Sequence, residues 1–232
     1  MTRVMFGLCV MLMSCLVAGP IVAVDNRDPS WRTGGDVRAC SAPRWASDIP
    51  ASGPGAGRRV VVIGDSLTRE SRPMLERSLR ASGWNPTIRC FGGKRLDWAL
   101  EQVKDQRAWR GLPDQIVIAM GTNDMRWIDR TVTKRRINEV LKSLGPRRDV
   151  IWVNLYGGNG DRFSKDKQRW FNRTLNSFGA KYPNLRILEW DSIAVRQGVA
   201  LVDALHYTKS GYQLRTRETV ALLNSIYGVA PS

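Results

Sequence analysis

The chain contains a single histidine, His206, which lies three residues after Asp203. Imidazole is the side chain that most readily gains and loses a proton near neutral pH, so His206 is suited to act as a general base. Such a base can activate a serine hydroxyl, and Ser66 follows an apolar run that begins at Val60. Ser66, His206 and Asp203 are the residue types of the nucleophile, base and orienting acid of a hydrolase or acyltransferase.

Acyl transfer also requires hydrogen-bond donors around the oxygen that becomes negatively charged. We predict that the backbone N–H groups of Ser66 and Gly93 and the side-chain amide of Asn123 are these donors. Each residue also has an ordinary structural interpretation: Ser66 as a helix N-cap, Gly93 as part of a tight turn and Asn123 as an Asx turn. The prediction therefore depends on whether the fold brings these residues together.

Short segments rich in valine and isoleucine alternate with segments of helical periodicity from residue 59 onward. The predicted strands are Arg59–Ile63, Pro86–Phe91, Gln115–Met120, Asp149–Leu155 and Leu185–Trp190. The predicted helices are Arg72–Ser82, Thr133–Leu144, Lys167–Tyr182 and Ser210–Tyr227. This alternation is typical of βαβ units and predicts an α/β fold, a three-layer, doubly wound, flavodoxin-like sandwich with a five-stranded parallel sheet.

Active sites of such sheets lie at the carboxyl ends of the strands. Ser66 follows the first predicted strand, Gly93 the second and Asn123 the third. Asp203 and His206 follow the fifth, in the segment before the last predicted helix. All the candidate residues therefore fall on one edge of the sheet, as a single site requires.

Four sequence blocks occur in order within residues 60–228. They are Gly64-Asp65-Ser66-Leu67, a glycine after the second strand, Gly121-Thr122-Asn123-Asp124 and Asp203-Ala204-Leu205-His206. In these blocks the chain resembles the SGNH or GDSL hydrolase superfamily. The resemblance implies ester chemistry by a Ser-His-Asp triad, and we expect no cofactor.

The second half of the chain resembles a particular group within this superfamily. The segments that are similar to the SGNH domain of cell-wall O-acetyltransferases are Trp170–Leu175, Ala180–Asn184, Ile187–Trp190 and His206–Gly211. This similarity implies an exported serine esterase or O-acyltransferase that acts on small acyl esters, with an acylated glycan or lipid ester as substrate. The alternatives are a lipase or thioesterase for longer acyl chains and a glycan-binding module without catalysis.

The N-terminal part of the chain predicts export. Val4–Val24 contains no charged residue, which is typical of a signal peptide or anchor over residues 1–24. A tail or linker would then occupy residues 25–58, and the hydrolase domain residues 59–228. In an oxidising compartment Cys40 and Cys90 are expected to form a disulfide. The cysteines lack zinc-site spacing and a lone histidine cannot build a multi-histidine site, so we predict no metal.

The charge balance is strongly basic, with 36 lysines and arginines against 21 acidic residues and a net charge of +15. Such a surface attracts anionic cell-envelope polymers or lipid headgroups, and we predict a secreted, envelope-associated protein without a specific nucleic-acid partner. The alternative is a solvated basic surface with no specific partner. The basic run Lys134–Arg136 is interpreted as such a solvated helix face.

Overall fold

The computed structural model describes Cys40, residues 53–158, Gly160 and residues 163–226. The predicted signal segment, residues 1–24, and most of the predicted tail lie outside the described residues. The strands are β1 (Arg59–Gly64), β2 (Asn85–Cys90), β3 (Gln115–Ala119), β4 (Asp149–Val153) and β5 (Leu185–Leu188). They form one parallel five-stranded sheet in the order β2-β1-β3-β4-β5. This order confirms the predicted doubly wound α/β fold.

Helices cover both faces of the sheet. They are α1 (Ser66–Ala81), α2 (Leu96–Arg110), α3 (Thr122–Trp127), α4 (Arg130–Leu144), α5 (Lys165–Gly179), α6 (Trp190–Arg196) and α7 (Lys209–Ser225). The core on one face contains buried side chains of α2, α4 and α5, and the core on the other face those of α1, α6 and α7. Because successive strand residues point to opposite faces, Ile63 joins the first core and Val62 the second.

The apolar periodicity did not predict helix α2, and its packing shows why. Arg89 on β2 is fully buried, and its guanidinium donates to the side-chain oxygens of Gln102 and Gln106, at 2.9 Å each. Both glutamines lie on α2 and are buried. Polar residues therefore occupy positions where a sequence pattern would require apolar ones, and their role is to satisfy a buried cation.

The described part of the tail is attached to the domain at two places. Cys40 forms a disulfide with Cys90 at the end of β2, with 5.2 Å between the Cα atoms, and its N–H donates to the Cys90 carbonyl at 2.9 Å. The backbone N–H of Gly55 donates to the carbonyl of Ser82 at 2.7 Å. A Cβ at Gly55 would lie 2.5 Å from the backbone nitrogen of Trp84, so only glycine permits this close approach.

Within the described ranges, no helix combines the length and apolar character needed to cross a bilayer. The same ranges contain no group of three or more histidine, cysteine, aspartate or glutamate side chains arranged to hold a metal ion.

Candidate active site

The structure brings the serine, the histidine and the aspartate into one chain of hydrogen bonds. Nε2 of His206 lies 3.0 Å from Oγ of Ser66, although 140 residues separate the two in sequence. Nδ1 of His206 lies 2.8 Å from Oδ2 of Asp203. With its proton on Nδ1, the ring donates to Asp203 and leaves Nε2 to accept the serine proton. This is the geometry that activation of a serine nucleophile requires.

Asp203 is held in the orientation that this contact needs by the backbone that follows it. Its Oδ1 accepts the N–H of Leu205 at 2.6 Å and the N–H of His206 at 2.7 Å. Burial would raise the pKa of Asp203, but the hydrogen bonds from the backbone and ring of His206 and from Leu205 outweigh it and lower the pKa to about 2. The carboxylate is therefore ionised at neutral pH and can stabilise a protonated imidazole.

The loop that carries His206 is anchored by the buried residue next to it, Tyr207. The Tyr207 hydroxyl donates to the carbonyl of Tyr156 at 2.9 Å and accepts the indole N–H of Trp190 at 3.0 Å. On the other side of the loop, the N–H of Gly158 donates to the carbonyl of Ala204 at 2.9 Å. The segment after β4 thus supports the histidine loop, a role that no sequence pattern had indicated.

Ser66 is the first residue of α1, and the neighbouring Asp65 is the N-cap. Oδ1 of Asp65 accepts the N–H of Leu67 at 3.0 Å, so the interpretation of Ser66 as the cap is wrong. Asp65 is buried, and burial raises its pKa although the positive charge of Arg215 and the Leu67 hydrogen bond lower it. The cap residue therefore leaves the Ser66 hydroxyl available to His206.

The three candidate oxyanion donors lie just beyond the ends of neighbouring strands. Ser66 follows β1, Gly93 follows β2 and Asn123 follows β3, and β1 lies between the other two in the sheet. Gly93 has a φ of +80°, a left-handed conformation that favours glycine in the turn. Neighbouring strands of a sheet lie about 4.8 Å apart, so the sheet order brings the segments that carry the three candidate donors to adjacent positions at one edge.

The chain is similar to known proteins in its structure. No protein-family model and no curated protein matched the chain. A lipase/acylhydrolase from Enterococcus faecalis superposes with a TM-score of 0.62 and 18% identity over 75% of this chain and 100% of that one. The C-terminal catalytic domain of peptidoglycan O-acetyltransferase A from Streptococcus pneumoniae gives 0.61 and 19% over 76% and 99%. A protein of the lipolytic G-D-S-L family from Veillonella parvula gives 0.62 and 16% over 71% and 97%.

The chain has the fold of the SGNH, or GDSL, hydrolases. The likeness confirms the fold that the four sequence blocks implied, and at these identities it concerns the fold alone. The blocks occupy strand ends on one edge of this SGNH fold, where the hydrogen bonds between Ser66, His206 and Asp203 are found.

The Thr122-Asn123-Asp124 segment also fixes the loop that carries Gly93. Asn123 lies in α3 rather than in an isolated Asx turn, and its side-chain amide donates to the carbonyl of Lys94 at 3.0 Å. A side-chain amide has two N–H donors, so the second can serve a substrate oxygen. Asp124 is fully buried, and its Oδ2 accepts the N–H of Leu96 at 3.0 Å. Asp124 thereby caps α2, whose own N-cap residue makes no side-chain cap bond.

Arg136 contacts Asp124, so the interpretation of Lys134–Arg136 as a solvated helix face is wrong for this residue. Its guanidinium donates to Asp124 at 3.4 Å and to Asp97 at 2.9 Å, and its side chain is only 19% exposed. Of the run assigned to a solvated face, Lys134 and Arg135 are exposed but Arg136 is not. The helical period of α4 places Arg136 on the inner side, where it contacts the buried carboxyl of Asp124.

Burial of Asp124 has an electrostatic consequence. Desolvation raises the pKa of its carboxyl from 3.8 to about 7, and the hydrogen bond from Leu96 and the charge of Arg136 only partly oppose this effect. The residue directly behind the proposed oxyanion donor is therefore an acid that changes its charge near neutral pH. The sequence feature that could have identified Asp124 is its position immediately after Asn123.

Proposed function

We propose that this protein is an exported serine esterase or O-acyltransferase that acts on small acyl esters of cell-envelope glycans. The observation that carries the proposal is the hydrogen-bonded series from Asp203 to His206 to Ser66. An SGNH fold alone would not require these three side chains to align. The backbone N–H groups of Ser66 and Gly93 and the Asn123 amide complete the machinery as oxyanion donors.

The reaction would proceed in two steps. Oγ of Ser66 attacks the ester carbon while its proton moves to Nε2 of His206, and the oxyanion donors stabilise the tetrahedral intermediate. The intermediate collapses, the alcohol leaves with the proton from His206, and an acyl-serine remains. Water or a sugar hydroxyl then attacks the acyl carbon as His206 takes its proton, which yields the free acid or a new ester and restores Ser66.

Two features support a glycan ester as the substrate. The chain resembles cell-wall O-acetyltransferase domains in its C-terminal half, and a peptidoglycan O-acetyltransferase domain is among the solved structures that share its fold. The net charge of +15 would draw the protein toward anionic envelope polymers. Export is supported by the Cys40–Cys90 disulfide, since structural disulfides persist in oxidising compartments.

Ester cleavage by the purified full-length protein tests the proposal. Nitrophenyl esters of two, four, eight and twelve carbons would be compared, and we expect activity on the shortest esters that Ser66→Ala abolishes. Ser71→Ala is the matched control, because the Ser71 hydroxyl lies on the same helix and donates to the carbonyls of Leu67 and Thr68. A sulfonyl fluoride should add its sulfonyl group to Ser66 and leave Ser66→Ala unlabelled, as mass spectrometry would show.

Each alternative predicts a different result in this assay. Activity that peaks at eight or more carbons would replace the small-acyl proposal with a lipase or thioesterase. Equal hydrolysis and labelling by wild type and Ser66→Ala would exclude Ser66 as the nucleophile. Absence of ester cleavage by either protein would favour a glycan-binding module.

A further inference from the structure

A groove of about 390 Å³ opens beside the proposed oxyanion hole, between the loop after β2 and the first turns of α2. Gly93 forms part of its wall. A Cβ at Gly93 would meet no atom within 4 Å, so the backbone of this residue faces open space. If the carbonyl oxygen of a substrate accepts the Gly93 N–H, the rest of that substrate therefore lies next to this groove.

The groove contains an aromatic surface. Trp98 is half-buried at the start of α2, and its ring centroid lies 6.4 Å from that of Phe91, with the two planes tilted by 59°. An indole ring is rigid and offers a flat apolar face, which is suited to the C–H face of a sugar ring.

The remaining lining is charged and balanced in sign. Lys94 and Arg95 supply its positive charges, and Asp97 and Glu101 its negative charges. Asp97 lies 3.5 Å from Arg95 and 2.9 Å from Arg136, and the Lys94 ammonium lies 4.6 Å from the centre of the Phe91 ring. The groove thus offers both hydrogen-bond donors and acceptors, as a hydroxyl-rich ligand requires. A long acyl chain would instead need a mainly apolar lining.

We propose that this groove binds the sugar residue that carries the ester, with Trp98 packed against the face of the sugar ring. The inference rests on the proposed function, because it takes Gly93 to be an oxyanion donor, and it assigns the side of the site on which the glycan lies. Lys94 and Glu101 then provide a donor and an acceptor for the hydroxyls of the sugar.

Trp98→Ala tests the groove, and Trp109→Ala is its matched control. Trp109 lies on the same helix eleven residues later, about 16 Å away along the axis, at the opposite end of the sheet. The measured quantity is kcat/KM for acetylated chitotriose divided by kcat/KM for nitrophenyl acetate. We expect this ratio to fall about tenfold or more in Trp98→Ala, mainly through a higher KM for the sugar ester, and to change less than about twofold in Trp109→Ala.

Two further variants separate sugar binding from packing. Trp98→Leu retains an apolar side chain against the core without an aromatic face. Its kcat/KM ratio should fall as far as that of Trp98→Ala. Trp98→Phe retains an aromatic ring, so its ratio should lie between those of Trp98→Ala and the wild type. An unchanged ratio in Trp98→Ala, or the same fall in Trp109→Ala, would overturn the proposal.

Failure of the groove proposal is distinguishable from failure of the proposed function. Hydrolysis of nitrophenyl acetate that depends on Ser66 would uphold the esterase even if the ratio did not change. If no ester were cleaved, titration calorimetry with ester-free chitotriose would still decide the groove. Binding that Trp98→Ala loses and Trp109→Ala retains would support it, and equal binding by all three proteins would refute it.

Discussion

Asp124→Asn is expected to remove a pH dependence from the stability of the fold. Asparagine has nearly the same shape as aspartate and keeps an oxygen that can accept the Leu96 N–H, which the carboxylate accepts at 3.0 Å. It cannot ionise, and it loses the charge that faces Arg136. The substitution therefore changes the titration of this position while it preserves the cap of α2.

The size of the effect follows from the raised pKa. Between pH 3.8 and about 7 the folded protein keeps a proton on Asp124 that the unfolded chain has lost, so stability falls as the pH rises through this range. The interval from 3.8 to about 7 corresponds to about 4 kcal/mol, at about 1.4 kcal/mol for each pH unit. Asp124→Asn should therefore gain up to about 4 kcal/mol relative to the wild type between pH 4 and pH 8.

Urea unfolding of both proteins at several pH values from 4 to 8 measures this difference directly. Asp97→Asn is the matched control, because Asp97 contacts the same Arg136 but its side chain is 42% exposed. We expect Asp97→Asn to keep most of the wild-type slope. Parallel stability curves for wild type and Asp124→Asn would refute the reasoning, since they would mean that Asp124 does not retain its proton on folding.

Two other substitutions give separate tests. Asp203→Asn should lower kcat by about a thousandfold or more, because the ring of His206 loses the carboxylate that orients it and stabilises its charge. It should also remove a loss of stability as the pH falls from 3.8 to about 2, and ester kinetics with acid unfolding would check both effects. Cys40→Ser should destabilise the domain by about 2–4 kcal/mol, since the disulfide closes a loop across 50 residues. A reducing agent should lower the urea midpoint of the wild type but not that of the variant, and equal midpoints in oxidising buffer would contradict the prediction.

The strands were predictable because each is a short apolar segment bounded by turns. Predicted β1 began at Arg59, where the structure begins it, and predicted β4 overran the observed end at Val153 by two residues. Helix α1 begins at Ser66 rather than at the predicted Arg72, because Asp65 caps it directly after the strand. The buried positions of its first turns include the polar residues Thr68 and Ser71, so the apolar spacing becomes clear only further along the helix.

Helices α2, α3 and α6 could not be predicted in this way. On α2 the inward positions include Gln102 and Gln106, whose partner is the buried Arg89 on a different strand. Helices α3 and α6 have only six and seven residues, too few for a periodic pattern to stand out. For α2 the local sequence lacks the information, because the reason for its polar inward positions is a contact with a distant strand.

The sequence by itself determined the residue types of the site and the edge of the sheet on which they lie. Ser66, Gly93 and Asn123 each follow a strand, and parallel strands present their carboxyl ends together. Only the tertiary structure decided that the Ser66 hydroxyl and the imidazole of His206 come within 3.0 Å, because the sheet order and the anchored histidine loop set that distance. Packing alone also decided that Asp124 is buried behind the site, since desolvation depends on every neighbour that excludes water and no local pattern records them.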